Sequence, residues 1–201
     1  GVQYLYNNPA SPEFSKASND ITNNLMKAIT DNKAVAVDIS ALRASDEYTF
    51  KHSVDVATMS MIIAKKMDYS KEEIYEIGIS GLLHDMGKSK IPLEVLNKPG
   101  GLTEEEFEVM KTHALLGYRI LQEKEEFSDD VRYGVLQHHE KINGSGYPMG
   151  VTGDKIHKYG SRPLPQTSIL SIWIEVKRKN SKIASTQYSE KSSCGRGDTG
   201  F

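Results

Sequence analysis

Two capping boxes constrain the fold of this chain more than any other feature. At Ser70-Lys71-Glu72-Glu73 and Thr103-Glu104-Glu105-Glu106, a hydroxyl residue stands three positions before a glutamate. The hydroxyl accepts from the backbone N–H three residues on, and the glutamate reaches back to the N-cap N–H. Two orphan donors of a new helix are thereby satisfied. Apolar residues follow each box at helical spacing: Ile74, Ile77, Leu82 and Leu83 after the first, Phe107, Met110, Leu115, Leu116, Ile120 and Leu121 after the second. Ser45, with Asp46 and Glu47 in the first turn, predicts a helix to about Met67. Ser128, Asp129 and Asp130 start another, through Val131, Val135 and Leu136, that arrives at His138-His139-Glu140. Ile21, Leu25, Met26 and Ile29 predict a lead-in helix over 15–29, and 34–42 is an apolar patch that fits helix or strand. Residues 45–141 thus read as four helices with short connections. No strand pattern of comparable strength occurs, so the fold class is all-α, a helical bundle.

The 201 residues suffice for one domain with a substantial core. A net charge of −2 gives no footprint for a nucleic-acid polymer. No apolar run approaches the roughly 20 residues needed to span a bilayer. A single cysteine, Cys194, excludes an internal disulfide framework and fits a reducing, cytoplasmic setting. The sequence opens at Gly1 without a signal peptide and reads as a fragment or a processed chain.

Five of the six histidines, His52, His84, His113, His138 and His139, fall on or at the ends of the predicted core helices; the sixth is His157. His52 shares a face with Val56, Met59 and Ile63, which a hydrogen-bonded core histidine would also explain. Asp85 follows His84 directly, and Lys88 lies one turn on. Ligands carried by facing helices are what a metal centre inside a bundle needs. Five imidazoles and a carboxylate exceed the needs of one ion and point to a two-metal site. Such a site activates a water and neutralises phosphate oxygens, as phosphoester hydrolysis requires. Imidazole-rich, thiolate-free ligands favour Fe, Mn or Zn over Mg. Asn143-Gly144-Ser145-Gly146-Tyr147-Pro148 then forms a tight loop.

His84-Asp85-x-x-Lys88, His113-x-x-x-Gly117 and His138-His139-Glu140 followed by Gly144-Ser145-Gly146-Tyr147-Pro148 resemble the HD-GYP family, a branch of the HD phosphohydrolases. The resemblance covers about residues 45–160. It implies an HD-domain-like helical bundle that hydrolyses the bacterial second messenger cyclic di-GMP to pGpG or GMP in the cytoplasm. It implies His52, His84, Asp85, His113, His138 and His139 as ligands of two divalent ions, with Asp85 and Lys88 catalytic and Lys88 on the substrate phosphate. Gly144, Gly146, Tyr147 and Pro148 would shape the substrate site and offer a docking surface to diguanylate cyclase domains. An upstream receiver or sensory domain would precede the lead-in segment, 1–44. A non-catalytic module binding cyclic di-GMP or a partner, and a general HD nucleotide phosphohydrolase, are the alternatives.

Two departures qualify this. Tyr48 stands where trinuclear members carry a glutamate, which favours two metals over three. Thr167 and Ser168 stand where the family's last aspartate ligand is expected, after prolines at 163 and 165; Asp154 and Glu175 do not fit the register. Residues 161–201 are divergent and read as a solvated, poorly ordered tail in which Arg196-Gly197-Asp198 is a chance tripeptide. A shift of reading frame near Ser161–Arg162 would produce this break. Translation of the other two frames of the source DNA tests that reading, which requires an Arg-Ile-Leu-Ala-x-Ala-Asp-like stretch in one of them.

Overall fold

The computed structural model describes residues 8–30 and 47–157. Ser45, the patch 34–42, Thr167, Ser168, Glu175 and the whole segment 161–201 lie outside the described residues, as does the side chain of Tyr48. The described residues form helices α1 (Glu13–Thr30), α2 (Glu47–Lys66), α3 (Lys71–Leu83), the short α4 (Leu93–Leu96), α5 (Glu104–Lys111), α6 (His113–Gln122) and α7 (Asp129–Gln137). Short 3-10 turns occupy Met86–Lys90 and Gly153–Lys155. No strand is present among them, in agreement with the all-α expectation.

Helix α3 is the axis of the bundle. Its capping box is formed, with both Ser70 and Glu73 bonded to each other's backbone. Ile74, Ile77, Ile79, Leu82 and Leu83 are all buried, so the helix is apolar nearly all round, as a helix enclosed by others must be. It packs against α1, α2 and α7. Phe14, Leu25 and Ile29 of α1 and Val131 and Val135 of α7 join the same core. Helix α2 closes onto α3 through a tight connection in which Asp68 takes a left-handed conformation, φ 57°.

Two sequence expectations change here. Helix α2 buries Val54, Val56, Ala57, Met61 and Ala64, so Val56 of the expected His52 face is in the interior, while Met59 and Ile63 of that face are half-buried. Helix α2 lies between two neighbours, so its buried surface extends beyond the His52 face. The single helix expected over 103–121 breaks at Thr112. The Thr112 hydroxyl donates to the Val109 carbonyl at 2.7 Å and the His113 ring bonds the Met110 carbonyl at 2.7 Å. Side chains thus take acceptors that a continuous helix would use.

The turn 86–90 nests against α6. A Cβ at Gly87 would lie 1.9 Å from the His113 carbonyl oxygen and 2.5 Å from the Gly117 nitrogen, both backbone. This close approach carries Asp85 to within reach of His113. Gly87→Ala should therefore cost about 1–3 kcal/mol or more in a urea melt, because backbone rather than a flexible side chain must yield. An unchanged midpoint would contradict the packing.

Candidate metal centre

The helix ends build the centre. Helices α3 and α7 stop at Leu83 and Gln137, and α5 stops at Lys111. The last carbonyls of a helix lack intrahelical partners. In each case a histidine beyond the end bonds back to one of them through Nδ1: His84 to Gly81 at 2.8 Å, His113 to Met110 at 2.7 Å, His138 to Val135 at 2.6 Å. A carbonyl only accepts, so Nδ1 carries the proton and Nε2 of the neutral ring is left with its lone pair. The three rings are buried, 1% exposed each.

Their Nε2 atoms converge on Asp85. Its Oδ2 lies 3.2 Å from His84 Nε2 and 3.8 Å from His52 Nε2, and its Oδ1 lies 3.4 Å from His113 Nε2. Two ligand groups result: His52, His84 and Asp85, and Asp85, His113, His138 and His139. Within each, one donor atom per residue lies within 4.8 Å of the others. Asp85 is shared, one carboxylate oxygen facing each group. His113 Nε2 and His138 Nε2 stand 3.1 Å apart. With both Nδ1 protons committed to carbonyls, two lone pairs face each other there, an arrangement that a cation between them relieves. The donor set fits divalent metal.

Electrostatics prepare the same chemistry. Burial works against the Asp85 charge, but His84 and Lys88 hold its pKa well below the usual carboxylate range. Lys88 Nζ bonds Oδ2 at 2.8 Å and is the part-exposed cation beside it. Burial lowers His113, and burial with the neighbouring His139 lowers His138 well below the ordinary imidazole value. Burial, with His113, takes His139 down to about 3. Imidazoles held neutral are the form that binds metal.

The loop after α7 is built against this cluster. Glu140, 1% exposed, accepts the backbone N–H groups of Met149, Gly150 and Val151 at 2.7, 3.1 and 3.2 Å. A Cβ at Gly146 would lie 2.4–2.6 Å from the backbone of Lys141, Glu140 and His139, so only glycine permits this contact. Gly144 sits at the neck, where Asn143 bridges Thr152, and the Tyr147–Pro148 bond is cis. The Tyr147 ring stacks on His139 at 4.5 Å and 26°. Burial and Asp85 raise the Tyr147 pKa above the ordinary phenol value, so the ring stays neutral.

All six sequence-predicted ligands are thus brought together, with Lys88 and Tyr147 beside them. His157 lies apart, paired with Asp130 at 3.1 Å and stacked on Tyr133. Glu140 stands in the sequence motif without a role of its own. Its signal there is a carboxylate next to a glycine-rich loop that offers unpaired N–H groups.

An all-α bundle with a shared carboxylate between two imidazole groups makes a helical domain whose buried cluster could hold metal. The sequence matches the HD domain family over residues 28–181, and the chain belongs to that family. Members bind divalent metals. A cyclic di-GMP phosphodiesterase of Pseudomonas aeruginosa is 34% identical over 139 residues, 69% of this chain and 34% of the relative. Another, from Thermotoga maritima, is 43% identical over 109 residues, 53% and 29% of the two chains. A 3'3'-cGAMP-specific phosphodiesterase of Vibrio cholerae is 37% identical over 113 residues, 56% and 24%. The chain therefore spans about a third or less of these relatives. The structure of an HDG"Y"P protein from Bdellovibrio bacteriovorus shares the fold, with TM-score 0.63, 24% identity, and coverage of 85% of this chain and 54% of that one. No helix among the described residues is long and apolar enough to cross a membrane.

Two measurements probe this centre. The metal-free protein should lose stability as pH falls below about 6.5. The folded pKa of His139 lies below its unfolded value, so the unfolded chain binds the extra proton. The loss from His139 alone is about 1.4 kcal/mol per pH unit between roughly 6.5 and 3, read from urea melts at pH 7.5 and 5.5. Equal stabilities at both pH values would refute the neutral cluster. Glu140→Ala strands three N–H groups and should cost about 2–3 kcal/mol by the same method.

Proposed function

We propose that this chain is the phosphodiesterase domain of a cyclic-dinucleotide signalling protein, hydrolysing cyclic di-GMP to pGpG or GMP. The observation that carries the reading is Asp85, whose two oxygens face separate imidazole groups. The relatives' names supply the substrate class: two act on cyclic di-GMP and one on a cyclic GMP–AMP. Two divalent ions, Fe or Mn, with Zn as the further option, would be held by His52 and His84 on one side and by His113, His138 and His139 on the other, with Asp85 between. Bound there, the ions supply the activated water and the positive charge that phosphodiester cleavage requires.

The chain's own residues do the rest. Asp85 stays ionised at neutral pH and offers both oxygens. The Nδ1–carbonyl bonds hold the imidazoles in one orientation with Nε2 inward. Lys88 keeps its ammonium at the part-exposed edge of Asp85, where it would meet a non-bridging phosphate oxygen. Gly144, Gly146, Tyr147 and Pro148 form the wall next to His139 and present Tyr147 to the substrate. The same loop would offer its outer side to a diguanylate cyclase domain, with a receiver or sensory domain preceding α1 in a cytoplasmic protein.

A second reading, a non-catalytic module that binds cyclic di-GMP, is favoured by Thr167 and Ser168 at the register of the family's last aspartate. Losing an outer partner of a metal ligand typically costs 10–100-fold in affinity or activity, and a direct ligand should cost at least as much. Reconstitution with Fe(II) or Mn(II), metal analysis and a cyclic di-GMP turnover assay decide between them. Near-stoichiometric metal with turnover that falls at least about 100-fold in His84→Ala is expected. Metal and dinucleotide binding without turnover would establish the module instead, and turnover unaffected by His84→Ala would overturn the assigned centre.

A further inference from the structure

We propose that Phe107 is the outer stacking residue of a nucleobase subsite that leads away from the metal centre, with Lys111 as the cation that holds it. The inference rests on the cyclic-dinucleotide reading above. It begins from an anomaly in α5. That helix buries none of its residues, and Phe107 on it is 46% exposed. An exposed aromatic ring is ordinary when isolated, but this one is not isolated. It meets the Tyr147 ring edge-on, with centroids 6.3 Å apart and planes at 81°. Tyr147 in turn stacks on His139, a residue of the ligand cluster. The three rings form a ladder from the buried centre to solvent, its steps 4.5 and 6.3 Å.

Lys111 stands one turn after Phe107 on the same face of α5. Its ammonium lies 5.3 Å from the Phe107 centroid and 6.0 Å from that of Tyr147, within the range of cation–π attraction to both. It also pairs with Glu108 at 2.5 Å. The cation therefore sits over both rings and ties the exposed one to the loop. A substrate whose phosphate meets Lys88 beside Asp85 carries a ribose and a base outward from it. A purine has two broad faces and is anchored at one end by its phosphate. An aromatic ring on the outward path offers such a base a stacking partner whatever its hydrogen-bonding edge. Phe107 and Tyr147 present those rings, and the edge-on angle between them leaves the Phe107 ring unstacked by Tyr147.

A ring that only packs against the loop would be replaced well by another apolar side chain of similar bulk. A stacking ring would not, and this difference makes the test. The metal-loaded full chain is assayed on cyclic di-GMP and on methyl p-nitrophenyl phosphate, a diester without a nucleobase. Phe107→Leu should lose about 10-fold more in kcat/KM on cyclic di-GMP than on the small diester, the difference lying in KM. Phe107→Trp, with a larger π face, should stay within about twofold of wild type on that ratio. Equilibrium binding of cyclic di-GMP to the same variants should show the same order without relying on turnover. A Phe107→Leu variant that keeps the wild-type ratio and affinity overturns the subsite and leaves the phosphodiesterase reading standing. Wild-type protein that cleaves the small diester but neither cleaves nor binds cyclic di-GMP overturns that reading and the subsite with it.

Discussion

The structure depends on one buried charge. Asp85 is 4% exposed at the middle of a helical bundle, where an isolated carboxylate would be strongly disfavoured. Lys88 at 2.8 Å and the surrounding imidazoles keep it ionised. Much of the fold serves to keep this carboxylate both buried and partnered. Helix α3 is enclosed on nearly every side so that its C-terminal end lies deep. The turn 86–90 then presses against α6 through Gly87, which brings His113 up to Oδ1. Removing one partner from such a site leaves the charge without compensation, which is why ligand substitutions in it are expected to affect stability as well as chemistry.

The second device is repetition of a local motif. Three helices end near the same point, and at each end a histidine satisfies an orphan carbonyl with Nδ1. The bond that completes the helix also selects the tautomer and aims Nε2 inward. Helix termination and ligand orientation are therefore one interaction, made three times with carbonyls at Gly81, Met110 and Val135. Since the acceptors are backbone atoms, the residue types at those three positions carry no trace of this role. His139 is placed differently, between the His138 ring and the Tyr147 face.

The loop after α7 shows how a chemically rigid wall is made without regular structure. Three consecutive N–H groups converge on Glu140, and Gly146 lets the returning chain touch the backbone of the His-His-Glu segment. Tyr147 is thereby fixed over His139. The same loop joins the buried cluster to the exposed Phe107 ring of α5, so the cluster and the outer surface are parts of one continuous wall.

Much of this was legible in the sequence. The capping boxes at Ser70 and Thr103 announced their helices because N-caps are local, and local chemistry is written in adjacent residues. His84, Asp85, His113, His138 and His139 pointed to one cluster that could hold metal, because buried rings and a buried carboxylate at several helix ends are costly unless they share a cation. What the sequence could not decide depended on distant neighbours. Its periodicity placed His52 with Val56, Met59 and Ile63, of which Val56 is fully buried, but it did not show that Val54, Ala57, Met61 and Ala64 are buried as well, a consequence of the helices on either side. The break at Thr112 was hidden because 103–121 is periodic throughout, and a hydroxyl and an imidazole overrule propensity there. Glu140 stood in plain view, yet its partners are N–H groups nine to eleven residues away that only the folded loop delivers. Residue types determined which chemistry this chain can hold; the convergence of helix ends decided which atoms face Asp85, because distances between separate helices are set by packing and not by spacing along the chain.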